Sequence, residues 1–141
     1  MINFDKLVKE QDQYRLNYLT ASPFPHLVIH DICDKNKLIE MYNQIPVLEN
    51  KSRDYMFAKN KFEKSNYSEL GPLFLELQSD LRSEKMNKFL SYISSKDVFV
   101  DPKNHGGGLH QGRKNSFLDM HLDYNYHPIN QNWWREMNLL L

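Results

Sequence analysis

His121 and Asp123 stand two residues apart in the run FLDMHLD and form the chain's single His-x-Asp. Side chains alternate between the faces of an extended strand, so residues i and i+2 point the same way. One imidazole nitrogen and one carboxylate oxygen can then reach the same divalent cation. A further histidine from elsewhere would complete a 2-His-1-carboxylate set, which leaves open positions on a non-haem Fe(II). The neighbourhood is dense in related chemistry. Between His105 and His127 lie four of the six histidines and four of the five glycines. His127 offers a local third ligand in an HxDx3H pattern, although structural zinc favours closed sites with cysteine. The competing reading of His121 and Asp123 is a hydrogen-bonded surface pair.

Strands must present these residues, and the pattern from Asp97 onward predicts them. Val98-Phe99-Val100 is a β-branched run stopped by Asp101-Pro102. Gly106–Gly108 lead into Leu109-His110-Gln111, with no Lys-Ser/Thr or helical pattern following, so this is no phosphate loop. Glycines here point to a bulge or a close backbone approach. Phe117–Asp123 alternates, with Phe117, Asp119, His121 and Asp123 on one face and Leu118, Met120 and Leu122 on the other. Trp133–Leu141 reads as a final strand, and the loop Tyr124–Trp134 as the cover of a site mouth and its specificity element.

The first part of the chain reads as helical support. An amphipathic helix is expected over 3–19, with Asn3 as its cap and Phe4, Leu7, Val8, Tyr14 and Tyr18 on one face. Pro23 and Pro25 then interrupt, and HLVIHDI at 26–32 predicts a short strand. His26 and His30 would lie about 13 Å apart on it, too far to chelate one ion. Asp34 is expected to cap a helix over 35–45, with Leu38, Met41, Tyr42 and Ile45 buried and Pro46 stopping it. Residues 47–67 predict an irregular extended segment anchored by Tyr55, Met56, Phe57 and Phe62. Its Lys51, Arg53, Lys59, Lys61 and Lys64 read as a solvated face, because acids are interspersed. Ser68 opens a third helix with Leu70, Leu73, Phe74, Leu77 and Leu81 inward and Pro72 in its first turn. Ser83 caps a further stretch carrying Met86, Phe89, Leu90 and Ile93.

Taken together, GGGLH at 106–110, FLDMHLDYNYHP at 117–128 and WREMNLLL at 134–141 resemble the Fe(II)/2-oxoglutarate-dependent oxygenase superfamily, in its prolyl-4-hydroxylase-like branch. The resemblance is close over Asp97–Leu141 and looser upstream, where PFPHLVIHDIC before a helix is similar to the family's opening. It implies an α+β domain over 1–141. Residues 1–96 would be mainly helical support, packed on the first strands of an incomplete double-stranded β-helix (jelly roll) over 97–141. It implies His121 and Asp123 as metal ligands, His110 and Asn138 beside the cosubstrate, and Arg135 in substrate or loop contacts. Fe(II) and 2-oxoglutarate would be the cofactors, and the activity hydroxylation of a C–H bond with release of succinate and CO2. The family pattern continues past Y-L-N to a distal histidine and a 2-oxoglutarate-binding Arg or Lys, beyond Leu141. The expectation is therefore the N-terminal part of an oxygenase: a fragment by preference, or half of a split enzyme, or a remnant. A second chain or a homodimer through the open strand edge would complete it. The substrate class, small-molecule or peptidyl, stays open. The rival reading is a non-catalytic interaction module that keeps half of the scaffold.

Composition bounds these readings. The 141 residues carry 18 basic and 18 acidic side chains, so no net field favours nucleic acid or a membrane surface. One cysteine, Cys33, excludes an internal disulfide framework and suggests a reducing compartment. The charged start, MINFDKLVKEQ, lacks the apolar core of a signal peptide, and no run suits a membrane span. A cytoplasmic protein is expected.

Overall fold

The computed structural model describes residues 1–49, 54 and 56–141. The expectations for Lys51, Arg53 and Tyr55 lie outside the described residues. Among those described, five α-helices and a two-stranded antiparallel sheet make an α+β protein. The chain divides into two compact units: Met1–Pro46 with Asn66–Lys103, and Val47–Ser65 with Asn104–Leu141. No helix among the described residues is long and apolar enough to cross a membrane.

The first unit is helical. The expected helix over 3–19 forms as α1 (Phe4–Lys9) and α2 (Gln11–Thr20), because the backbone at Glu10 leaves helical geometry at φ −106°, ψ 9°. Asn3 accepts the Lys6 amide as its cap. Of the expected face, Leu7 and Tyr14 are buried while Val8 is open to solvent. Burial, with the Glu10 carboxylate 2.5 Å from the Tyr14 hydroxyl, pushes the Tyr14 phenol up to about 12.

Residues 26–32 form no strand. Their register with the chain start is a single bridge, Ile2 to Cys33, flanked by Asn3 N–H to Ile32 O at 2.7 Å and Asp34 N–H to Met1 O at 3.0 Å. A ladder needs a partner of matching length, and among the described residues no strand pairs with 26–32. Helix α3 (Lys35–Asn43) starts where Asp34 accepts the amides of Asn36 and Lys37. It buries Met41, whereas Tyr42 is exposed.

A 3-10 turn at Tyr67–Glu69 precedes α4 (Pro72–Leu81), and Ser83 caps α5 (Glu84–Ser94) by accepting the Met86 amide at 3.2 Å. Proline at the first position of α4 removes a donor that no turn would have used. The stripe Met86, Phe89, Leu90 and Ile93 is wholly buried, and Phe89 meets Tyr14 edge-on at 6.1 Å. Val98–Val100 is not a strand. Its amides go to α5 side chains instead, Val98 to Ser91 Oγ at 3.0 Å and Val100 to Asn87 Oδ1 at 3.0 Å. The α5 side chains thus satisfy donors that a sheet would otherwise have to take.

The second unit is built on β1 (Ala58–Lys64) and β2 (Leu109–Leu118), paired antiparallel from Ala58↔Leu118 to Lys64↔Leu109. The register jumps between Lys59↔Phe117 and Lys61↔Gly112, leaving 113–116 as a large bulge. Asn60 and Asn115 take positive φ there, at 53° and 64°, a conformation asparagine tolerates better than most residues. Phe62 is buried beneath the Arg113 guanidinium, 4.0 Å from the ring centre, and Leu48 donates its amide to Gln111 Oε1 at 2.9 Å. Gly108 enters the ladder at φ 127°, and a Cβ there would stand 2.3 Å from the Lys64 carbonyl oxygen.

Three stability changes follow. Phe89→Ala should cost about 3–5 kcal/mol and Ser83→Ala about 1 kcal/mol in denaturant unfolding of the helical unit. Gly108→Ala should cost at least about 1 kcal/mol and remove hydrogen-exchange protection from the ladder amides, while leaving those of α5 protected.

Candidate functional site

The strand expected over Phe117–Asp123 ends early. Its last backbone bond is Asp119 N–H to Phe57 O at 2.7 Å, and β1 offers nothing further because residues 56 and 57 are already in a turn. His121 and Asp123 therefore lie on irregular chain beyond the sheet. Met120 and Leu122, on the apolar face of the expected strand, are 97% and 98% exposed. The final strand over Trp133–Leu141 is likewise absent. Trp134 makes one bridge, to Tyr126, and the turn between them is closed by His127 N–H to Trp133 O at 2.9 Å. The same fold-back sets Arg135 N–H on Asn125 O at 2.7 Å, which returns the chain to Asp123's neighbours.

His121 and Asp123 nonetheless meet. His121 Nδ1 lies 2.8 Å from the Asp119 carbonyl oxygen, which can only accept, so Nδ1 carries the hydrogen. That leaves Nε2 facing Asp123 Oδ1 at 3.5 Å, with a lone pair there whenever the ring is neutral. Two electron-rich atoms face each other across a gap that a cation satisfies, either a proton on Nε2 or a metal. An ion at a common distance of about 2.1 Å from both would see them roughly 110° apart, an ordinary ligand angle. The pair therefore fits two corners of a metal site. Both side chains are partly open to solvent, at 33% and 43%.

The outer oxygen of Asp123 is held by two donors. Arg135 Nη2 stands 3.2 Å from Oδ2, and Asn138 Nδ2 donates to the same oxygen at 3.3 Å. Arg135 also donates to Asn138 Oδ1 through Nε at 3.0 Å and through Nη2. Its guanidinium rests 4.8 Å from the centre of the Tyr124 ring. Tyr124 in turn donates its hydroxyl to the His105 carbonyl at 2.9 Å. Gly106 permits this, since a Cβ there would stand 2.9 Å from that hydroxyl.

His110 is elsewhere, on β2 opposite Glu63, with Nδ1 4.0 Å from Glu63 Oε2. Partial desolvation, joined by the Lys61 ammonium, lowers its pKa below 6.5, and Glu63 only partly opposes this. His127 is held by its own turn. Its Nδ1 accepts the amides of Ile129 at 3.3 Å and Asn130 at 2.9 Å, and its buried ring packs on His105 and Trp133. Among the described residues no three His, Cys, Asp or Glu side chains converge as a metal set. Sequence reasoning passed over Tyr124 and His105 as a platform. Their only signal was the aromatic density around YNYHP. No family model, curated protein or solved structure matches the chain.

A lowered histidine pKa means that the unfolded chain binds the proton more readily. The contribution of His110 to stability is present above its unfolded value of 6.5 and declines as pH falls through it. Lys61→Met should raise the His110 midpoint and Glu63→Gln should lower it further, as read by NMR titration of the ring.

Proposed function

We propose that His121 and Asp123 are two of the three protein ligands of a non-haem Fe(II), 2-oxoglutarate-dependent hydroxylase centre, in an α+β scaffold of the jelly-roll type. The observation that carries this reading is the facing of His121 Nε2 and Asp123 Oδ1, each fixed from behind by a partner on its far side. Metal-bound histidines commonly donate their other nitrogen to a carbonyl, and metal-bound carboxylates are themselves hydrogen-bonded. The bound iron and cosubstrate would supply the oxidising chemistry, turning 2-oxoglutarate into succinate and CO2 while a substrate C–H bond is hydroxylated. The chain's own contribution is to hold one lone pair and one carboxylate oxygen at a fixed separation. His110 and Asn138 remain proposed cosubstrate contacts and Arg135 a proposed substrate contact. The third ligand would come from outside the His121–Asp123 pair.

The second reading is a non-catalytic interaction module. It is favoured by the near-complete exposure of Met120 and Leu122 beside the pair, apolar surface of the kind that marks contact sites.

Anaerobic titration with Fe(II) or Mn(II), with and without 2-oxoglutarate, separates the two. The first reading expects binding that tightens with 2-oxoglutarate. In His121→Ala/Asp123→Ala, affinity should fall by more than the about 10- to 100-fold typical of losing an outer partner. Equal affinity in wild type and double variant would leave the interaction module.

A further inference from the structure

We infer that the end of β2 and its continuation to Leu122 bind a second copy of this chain, strand against antiparallel strand, about a two-fold axis at Met120. The contact needs no metal, so it stands under either functional reading. Among the described residues β2 has one strand neighbour, β1, and its other edge is open. A two-stranded ribbon alone is marginal in water, and further strands with an apolar face stabilise it. That apolar face is present at this end: Met120 and Leu122 are almost wholly exposed, and Leu118 more than half so. The opposite edge of the ribbon, on β1, carries Lys59, Lys61 and Lys64, charges of the kind that keep edge strands from pairing. Ser116, Phe117 and Leu118 of β2 carry none.

The backbone points the right way. Asp119 N–H turns inward to Phe57 O at 2.7 Å. Donors and acceptors of adjacent residues alternate in direction along an extended strand, so those of Leu118 and Met120 turn to the open edge. In the single chain Asp119 Oδ1 accepts Met120 N–H at 2.8 Å, a local substitute for a partner strand. Pairing about Met120 passes that N–H to the Met120 carbonyl of the second copy. It also sets Leu118 opposite Leu122 of the second copy, and the released Asp119 carboxylate opposite its His121. The apolar residues then fall together on one face, and the carboxylate meets an imidazole. Other registers lose this match. An axis at Asp119 or at His121 sets a carboxylate against a carboxylate. An axis at Leu118 sets Leu122 against Lys114 of the bulge. An axis at Leu122 calls on Tyr124, whose hydroxyl and ring are already engaged by the His105 carbonyl and Arg135. The same patch meets itself, so the assembly closes at two copies.

The test uses the full chain without metal. Analytical ultracentrifugation should show a monomer–dimer equilibrium and no larger species. Met120→Lys places two ammonium groups together at the axis and should weaken the dimer about 100-fold or more. Its far-UV circular dichroism should match that of wild type, because Met120 packs on nothing in the single chain. Register is read by cysteine pairing in a Cys33→Ser background. Paired Cα atoms stand about 5.5 Å apart, within reach of a disulfide. Met120→Cys should therefore cross-link with itself, and Leu118→Cys with Leu122→Cys when the two chains are mixed. Leu118→Cys by itself should not, since its two copies lie about 13 Å apart along the ribbon. A chain that stays monomeric to about 1 mM overturns the inference. So do a dimer that Met120→Lys leaves intact, open-ended aggregation, or cross-linking of Leu118→Cys alone as readily as with Leu122→Cys.

Discussion

Among the described residues, the backbone of the second unit beyond Asp119 pairs with no further strand, since β1 begins at Ala58 and the turn at residues 56 and 57 precedes it. Strand geometry persists only where a neighbour takes its donors and acceptors. Once that neighbour ends, the alternation of Phe117–Asp123 no longer sorts side chains onto two faces. Leu118, Met120 and Leu122 meet solvent, and His121 and Asp123 depend on other contacts for their placement. Those contacts are the Asp119 carbonyl behind the imidazole and the Arg135–Asn138 pair behind the carboxylate.

The same ladder sets where His110 sits. Its position opposite Glu63 is set by the register that runs from Lys64↔Leu109, and the bulge over 113–116 takes up the irregularity before Phe117. Gly108 allows the strand to start there, since any side chain would collide with the Lys64 carbonyl. A histidine that sits on paired strand is oriented by the sheet. Histidines beyond it are oriented by side chains and turns, as His127 is by the amides of Ile129 and Asn130.

Electrostatics near Asp123 are local and balanced. Arg135 brings one positive charge to the carboxylate, and Asn138 adds a neutral donor to the same oxygen. Together they leave the inner oxygen as the side available to a cation. The partial exposure of His121 and Asp123 keeps that side in contact with water.

The sequence by itself determined the caps and the buried stripe of the later helices. The spacing of Met86, Phe89, Leu90 and Ile93, the caps Asp34 and Ser83, and Pro72 at a helix start act within one or two turns, and each sits where its local chemistry requires. The proximity of His121 to Asp123 was legible too, because two residues cannot be far apart. The tertiary structure alone decided where strands stop. HLVIHDI and Val98–Val100 have strand-like sequences, yet among the described residues the first joins no ladder and in the second the amides of Val98 and Val100 go to Ser91 and Asn87. It also decided that Arg135 and Asn138, more than ten residues downstream, return to the outer oxygen of Asp123. Strand pairing and long-range side-chain contacts depend on what lies alongside, which no local pattern encodes.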